Sequence, residues 1–451
     1  MTQSSYDIDA VFKAYDVRGL FPGEWDDTLA RLIGNAFARY LNADSIVVGY
    51  DMRVTSPALA QAFIEGVTLA GADVVNIGLS STDMLYFASG KLEMAGAMIT
   101  ASHNPSEYNG LKMCRASAAP IGQDTGLNQI KAAAANGLIE RAEEIGTVTE
   151  QNLLDDFRKH CLSFIDPDSI SKLKVVADTA NGMGGLVVPY VFKSLDCELE
   201  VIFEELDGTF PNHPADPIQP ENLKDLQQRV VDTNADIGLA FDGDADRVFL
   251  VDDLGQTLGG FLTVAMVAQS LLEKFPGESI VYNLICSKSV PETIESCGGK
   301  PIRTRVGHSY IKQVMADTGA IFGGEHSGHY YFRDNFRADS GLIAALVVLE
   351  LLAKSGKKLS EFRKQFETYS QSGEINSRVE DVDASIKRVT SNYASSEIDD
   401  LDGYTIQGQG WWCNVRPSNT EPLVRLNVEA DTKEICDEKT REILELIRDG
   451  K

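Results

Sequence analysis

The stretch IVVGYDMRVTSPALAQAFIEGVTLAGADVVNI, residues 46–77, decides the fold. Ile46 to Gly49 reads as a strand, Pro57 to Ala70 as an amphipathic helix and Asp73 to Ile77 as the next strand. Strand, helix and strand in succession imply a largely parallel sheet. Working outward, the polar, alanine-rich stretch from Asn128 to Thr149 is expected to carry this unit's last helix. A second unit opens with a strand at Leu173 to Ala177, a glycine loop Asn181-Gly182-Met183-Gly184-Gly185, and a helix from about Leu186 to Leu195. The glycine loop lacks both the G-x-G-x-x-G spacing and the Walker lysine, so it reads as a tight strand-to-helix turn. A third unit shows a helix from Gly260 to Lys274, a strand at Ser279 to Leu284, helices near 289–297 and 309–317, and a strand at Ala320 to Gly323. Past Lys358 the pattern becomes α+β. Tyr404 to Gln407, Trp411 to Val415 and Leu423 to Val428 read as strands, and Lys433 to Asp449 as a closing helix.

The expected fold class is therefore α/β: three similar units with mixed, largely parallel sheets, plus a smaller C-terminal α+β unit, around a central cleft. The boundaries fall at 1–150, 151–255, 256–368 and 369–451. At 451 residues several domains are expected, because single cores rarely grow past ~250–300 residues. Lys+Arg 41 against Asp+Glu 67 gives a net charge of -26, which disfavours nucleic acid and anionic membrane surfaces as partners. Seven scattered cysteines with no C-x-x-C pair argue against a disulfide framework or zinc site, so a cytoplasmic location is expected. No apolar run has bilayer-spanning length, and Met1 to Asp9 is too polar for a secretory signal.

Four loops carry chemistry. Thr100-Ala101-Ser102-His103-Asn104-Pro105 follows the apolar run Ala95 to Ile99, which sets Ser102 outside the carboxyl end of a sheet, where open α/β enzymes keep their chemistry. In Asp242-Gly243-Asp244-Ala245-Asp246-Arg247 three carboxylates alternate between two apolar stretches. Such anions repel unless a cation sits among them, and oxygen-only ligands favour a hard ion, Mg²⁺ or Ca²⁺. An EF-hand reading fails because Arg247 stands where that loop needs glycine and the flanks are strands; a solvated acidic turn is the bland alternative. Gly324-Glu325-His326-Ser327-Gly328-His329 offers groups for hydrogen bonding to a polyol and for proton transfer. Arg416-Pro417-Ser418-Asn419-Thr420-Glu421-Pro422, with Arg425, supplies the donors a phosphate requires.

These four segments, in this order, resemble the signature segments of the α-D-phosphohexomutases, specifically their bacterial phosphomannomutase/phosphoglucomutase branch. Tyr15-Asp16-Val17-Arg18-Gly19 and Tyr108-Asn109-Gly110-Leu111-Lys112 are two further matches, and the likeness covers nearly the whole chain. The resemblance implies reversible interconversion of hexose 1-phosphate and hexose 6-phosphate, with mannose and/or glucose as the sugar. The histidine in the 324–329 loop is a variant of that branch, where the glucosamine branch usually has glutamine. Phosphoglucosamine mutase is the alternative, followed by a phosphoserine-dependent sugar phosphatase and a non-catalytic metal or sugar-phosphate binder.

The resemblance also assigns residues. Ser102 is the modified residue, a phosphoserine. With Asp242, Asp244 and Asp246 it ligates one Mg²⁺, while Arg18, Lys112 and His329 handle proton transfer and charge. Arg247, His308, Glu325, Ser327, Arg416, Ser418, Asn419, Thr420 and Arg425 bind substrate, and hexose 1,6-bisphosphate serves as intermediate and activator. The partner is a small-molecule sugar phosphate, and the chain is expected to be a monomer or weak homodimer. A carrier serine fits the chemistry, because both oxygens of one sugar cannot meet a single site at once. Lys112 as a base needs a lowered pKa, which nearby cations would supply. His103 is expected to structure its loop, since adjacent side chains diverge. Lys288 either takes over a lysine contact that the family makes nearby or caps the following helix. Gly373 and its polar surroundings are hinge material for a C-terminal domain that is mobile in the family.

Overall fold

A computed structural model describes residues 7–418 and 423–448. Strands β1 (Val17–Leu20), β2 (Ser45–Tyr50), β3 (Asp73–Leu79), β4 (Ala95–Ile99), β5 (Tyr108–Arg115), β6 (Ala119–Pro120) and β7 (Val148–Glu150) form the first sheet, in the order β1-β5-β4-β2-β3-β7 with β6 on β5. The second sheet is β11 (Val248–Asp252), β10 (Ile237–Phe241), β8 (Ser171–Asp178) and β9 (Asp196–Ile202), in that order. In the third the order is β13 (Lys300–Thr304), β12 (Ser279–Asn283), β14 (Phe322–Gly324) and β15 (Tyr330–Phe332). All three share one plan: a parallel core ends in a strand that turns back antiparallel, as β4 does to β5, β10 to β11 and β14 to β15. The fourth sheet is antiparallel throughout: β16 (Ser370–Arg378), β20 (Leu423–Ala430), β19 (Trp411–Pro417), β18 (Tyr404–Gly408) and β17 (Glu397–Asp399). The four signature loops are the connections at these reversals.

The expected βαβ unit forms as β2, the helix Ser56–Leu69 and β3, with β2 parallel to β3. In the segment read as carrying only a helix, the helix stops at Ala135 and the chain returns as β7, parallel to β3. The sequence reading passed over β16 and the helix Val382–Asn392. Gly373, at φ +68°, sits in the irregular register of β16 against β20, which breaks the alternation that would have marked a strand. The glycine loop forms a tight turn: Ala180 and Asn181 adopt left-handed φ, and the Gly182 N–H bonds Thr179 O at 2.7 Å.

One apolar core runs through the second and third sheets and reaches the first. It includes Val47, Met98, Val175, Ile237, Val264, Ile280, Phe322 and Leu346. The helices Gly260–Lys274 and Gly341–Ser355, buried along nearly their whole length, form its centre. The C-terminal unit closes a core of its own around Val389, Trp411, Val415, Leu426 and Ile443. Among the described residues, no helix is long and apolar enough to cross a membrane.

A buried polar contact joins the first unit to the third. Asp83, 0% exposed in the helix Thr82–Leu92, accepts hydrogen bonds from Ser81 and, at 2.7 Å, from Ser340, the N-cap of Gly341–Ser355. Burial pushes its carboxyl from 3.8 up to about 7. The folded chain thus keeps a proton that the unfolded chain releases above about pH 4, so stability falls as pH rises toward about 7. Asp83→Asn, which cannot ionise, is expected to leave stability unchanged near pH 4 and to raise it at pH 8 by on the order of 2–4 kcal/mol, read by denaturant unfolding at the two pH values.

Candidate active site

Ser102 follows β4 with φ 51°, a left-handed conformation that is rare for a side chain larger than hydrogen. That turn aims its Oγ across the unit boundary, where it donates to Asp242 Oδ2 at 2.9 Å. It also brings His103 Nδ1 to 3.1 Å from the same Oγ, so the expected divergence of the two side chains does not occur. Burial, with Arg247 and Arg18 nearby, holds His103 well below the ordinary imidazole range.

The aspartate loop joins β10 to β11 and is almost wholly buried: Asp242, Asp244 and Asp246 are 0, 0 and 1% exposed. Their ligating oxygens lie within 4.8 Å of one another. Arg247 Nε donates to Asp242 Oδ2 at 2.9 Å, and Lys112 Nζ bridges Asp244 Oδ2 at 2.7 Å and Asp246 Oδ2 at 2.6 Å. Asp244 Oδ1 and Asp246 Oδ1 are buried and accept no hydrogen bond. Oxygen donors, a residual negative charge and orphaned carboxylate oxygens together fit a hard divalent cation.

These neighbours reverse the expectation for Lys112. Burial pulls its pKa down, but Asp244 and Asp246 outweigh it and hold the ammonium well above its ordinary value. The groups nearest to it are anions, not cations. Asp242, whose largest influence is burial, is pushed up; at Asp244 burial also weighs most, but the charge of Lys112 and hydrogen bonds from Lys112, Thr82 and Ser102 together hold its carboxyl down.

Arg18, on β1 beside β5, donates to Asn104 Oδ1 and Asp16 Oδ2, each at 2.6 Å, and so braces the serine loop. His329 Nε2 lies 4.0 Å from both Asp246 Oδ1 and Asp339 Oδ2, and Nδ1 is 3.2 Å from Ser327 Oγ. Glu325 is buried and receives Tyr331 Oη at 2.6 Å, Gly307 N at 3.2 Å and Asn283 Nδ2 at 3.3 Å. His308 opens the helix His308–Thr318 edge-on to Tyr15, with ring centroids 4.6 Å apart. Burial, reinforced by Lys312, lowers its pKa to about 3.

Ser102, Asp242, Asp244, Asp246, Lys112, Arg247 and His329 thus form one cluster, with Arg18 joined through Asn104. Glu325, Ser327 and His308 group around the third sheet. Arg416 and Arg425, cross-strand partners on β19 and β20, meet on Glu374, at 2.6 and 2.7 Å, and Arg425 Nη2 lies 3.5 Å from Ser418 Oγ. Asn419 and Thr420 lie outside the described residues. The Lys288 N–H, just before the helix Ser289–Ser296, is bound by Glu429 Oε1 of the C-terminal unit at 3.0 Å.

The sequence reading missed Thr82, whose hydroxyl donates to Asp244 Oδ2 at 2.5 Å, and the buried pair Lys312–Asp339 at 3.0 Å. It also missed Asp51 and Arg53. Charged residues directly after β2, at the carboxyl end of a parallel strand, were the available signal.

The chain matches four parts of one family: phosphoglucomutase/phosphomannomutase alpha/beta/alpha domain I over residues 9–139, domain II over 152–255, domain III over 261–369, and the C-terminal domain over 374–446. It is 39% identical to the phosphohexose mutases protein of Xanthomonas campestris pv. campestris over 97% of this chain and 99% of that one. It is 38% identical to the phosphomannomutase of Escherichia coli, over 97% of this chain and 99% of that one. A crystal structure of a phosphoglucomutase/phosphomannomutase family protein from Burkholderia thailandensis superposes with a TM-score of 0.89 at 31% identity, covering 98% of each chain.

Contact between the serine and aspartate loops depends on Gly243. A Cβ there would lie 2.4 Å from Ser102 O, so the two loops approach as closely as they do only because residue 243 has no side chain. Gly243→Ala is expected to force the loops apart and lower kcat for the hexose phosphate reaction by roughly 10–100-fold, with a smaller effect on KM. Steady-state kinetics on the variant is the check.

Proposed function

Because the chain belongs to the phosphoglucomutase/phosphomannomutase family, and is accordingly a phosphohexomutase that interconverts hexose phosphates, we propose that Ser102 is its phosphate carrier and that mannose and/or glucose phosphates are its substrates. The observation that carries this reading is the Ser102 Oγ, 2.9 Å from Asp242 Oδ2 and turned into a loop where three buried carboxylates converge. Relatives named phosphomannomutase support mannose phosphate over glucosamine phosphate.

In the proposed cycle, a free sugar hydroxyl attacks the phosphorus on Ser102; the P–Oγ bond breaks, a P–O bond to the sugar forms, and a hexose 1,6-bisphosphate results. The bisphosphate turns over, and its other phosphoryl group returns to Ser102 Oγ. Ser102, Asp242, Asp244 and Asp246 would hold Mg²⁺, which when bound neutralises charge on the phosphoryl oxygens. Arg247, fixed by Asp242, places a permanent positive charge beside the transfer. The attacking hydroxyl must lose a proton, and the departing Ser102 Oγ must gain one. His329, 4.0 Å from Asp246, would carry that proton, while Lys112 and Arg18 act as positive, orienting groups.

Glu325, Ser327 and His308 would bind the sugar, with His308 as a neutral imidazole. Arg416, Ser418, Asn419, Thr420 and Arg425 would hold the phosphate that is not reacting, which lets one clamp serve both orientations. On this reading the units 1–150, 151–255, 256–368 and 369–451 contribute one loop each. Seven free cysteines support a reducing, cytoplasmic location, and a chain acting as a monomer or weak homodimer suffices, since each loop of the site comes from the same chain.

A coupled assay with mannose, glucose and glucosamine 1-phosphates in Mg²⁺ tests the reading. Isomerisation is expected for mannose and/or glucose phosphate, lost on chelation and restored by Mg²⁺. Ser102→Ala should be inactive and should lack the single phosphoryl mass that the native chain carries after exposure to a hexose bisphosphate. Release of free phosphate without isomer, or full activity of Ser102→Ala, would count against it.

A further inference from the structure

Directly beneath the serine loop lies a residue that touches none of the reacting groups. The Arg53 side chain is 1% exposed, and its guanidinium donates to four main-chain carbonyls of a single loop. Nη2 bonds Ser102 O at 2.8 Å and Asn104 O at 2.6 Å; Nη1 bonds Pro105 O at 2.7 Å and Tyr108 O at 3.0 Å. The remaining nitrogen, Nε, faces Asp51 Oδ2 at 3.3 Å, and Asp51 is itself held by Ser56 Oγ at 2.5 Å and by the Arg53 N–H at 3.0 Å.

The second unit seals this arrangement. The Phe210 ring lies 5.1 Å from the guanidinium carbon, and a Cβ on Gly208 would fall 2.5 Å from Arg53 Cα. Ser102 O is therefore caught between Arg53 and Gly243 of the aspartate loop, where an added Cβ would lie 2.4 Å away.

A planar fork with fixed donor directions constrains a loop more than a single ammonium does. Four acceptors on one rigid group remove both sliding and tilting of the turn. The constraint matters because the left-handed φ of Ser102 is strained for a residue with a side chain and persists only where the surroundings over-determine it. We propose that Arg53 is a positioning residue for the phosphoryl-transfer step: it holds the turn that aims Ser102 Oγ at the aspartate loop. The proposal rests on the reading of Ser102 as the phosphate carrier.

Two variants test it. Arg53→Lys keeps the charge facing Asp51 but can serve at most three acceptors from one atom. The double variant Asp51→Asn with Arg53→Met removes both charges together, so that neither is left buried without its partner. Each is checked for folding by thermal unfolding. Hydrogen exchange across residues 101–108 then reports the grip on the loop, independently of activity. Turnover with a hexose 1-phosphate, started with hexose 1,6-bisphosphate, reports positioning.

The expected result in both variants is faster exchange confined to this loop, kcat lower by about 30- to 100-fold, and KM within about twofold of the native value. Unchanged loop exchange overturns the grip. Faster exchange with native kcat, or a raised KM at native kcat, overturns the positioning role. If neither variant folds, Arg53 is a folding residue and the proposal falls. Should Ser102→Ala prove active, the carrier reading fails, while the exchange data still judge the grip.

Discussion

Everything in this molecule turns on burying three carboxylates in one loop. Asp242, Asp244 and Asp246 lie out of water, where an uncompensated anion would cost several kcal/mol. Lys112 and Arg247 supply two positive charges at hydrogen-bonding distance, so that with all three carboxylates ionised one negative charge is left over. Two carboxylate oxygens in the cluster remain without a hydrogen bond. The protein alone does not balance the site, which is the electrostatic condition for holding a divalent ion and, through it, a dianionic phosphoryl group. The net charge of -26 sharpens the point: a chain so acidic can attract phosphate only where its cations are gathered, and they are gathered here and at Arg416 and Arg425.

The topology explains how distant segments reach that cluster. In each of the first three sheets the strand before the signature loop is parallel to its inner neighbour and antiparallel to the strand after the loop. A chain reversal at the carboxyl end of a buried sheet gives a short loop on a rigid base, so one plan used three times yields three precisely built edges. Close backbone approach then locks them together. A Cβ at Gly182 would lie 2.6 Å from Gly243 O, one at Gly243 would lie 2.4 Å from Ser102 O, and one at Gly341 would lie 2.6 Å from the Arg247 carbonyl carbon.

What could be read from the sequence was what is continuous in it. The loops at 100–105, 242–247, 324–329 and 416–422 each follow an apolar run, and each gathers its polar and charged groups within six or seven residues. Contacts across the fold left no such trace. Lys112 meets Asp244 and Asp246 over separations of 132 and 134 residues, and Thr82 meets Asp244 over 162. Hence the sequence could place Lys112 near the site but gave the wrong sign for its neighbours. His103 failed for a different reason: the expectation of diverging side chains assumes ordinary backbone, and a left-handed Ser102 breaks that assumption. β16 was hidden because its polar residues and Gly373 spoil the alternation on which strand recognition depends.

The C-terminal unit obeys a different logic from the rest. Its apolar core is closed within itself, whereas the second and third sheets share theirs. Among the described residues, hydrogen bonds join it to the third unit: Arg303 with Asp399, Arg303 Nη2 with Thr405 Oγ1 at 3.0 Å, the Val306 N–H with Asp402 at 3.0 Å, the Lys288 N–H with Glu429 at 3.0 Å, and Tyr369 with Glu292 at 2.6 Å. Water can replace contacts of this kind at little cost, while it cannot replace a shared apolar core. Arg416 and Arg425 therefore sit on a unit with an apolar core of its own, joined to the third unit by these hydrogen bonds. The serine and aspartate loops, by contrast, are fixed to a core they share with their neighbours. On the proposed cycle, in which the substrate is gripped, released and gripped again by its other end, that division would put rigidity where the phosphoryl group moves and a separable hold where the rest of the sugar phosphate is kept.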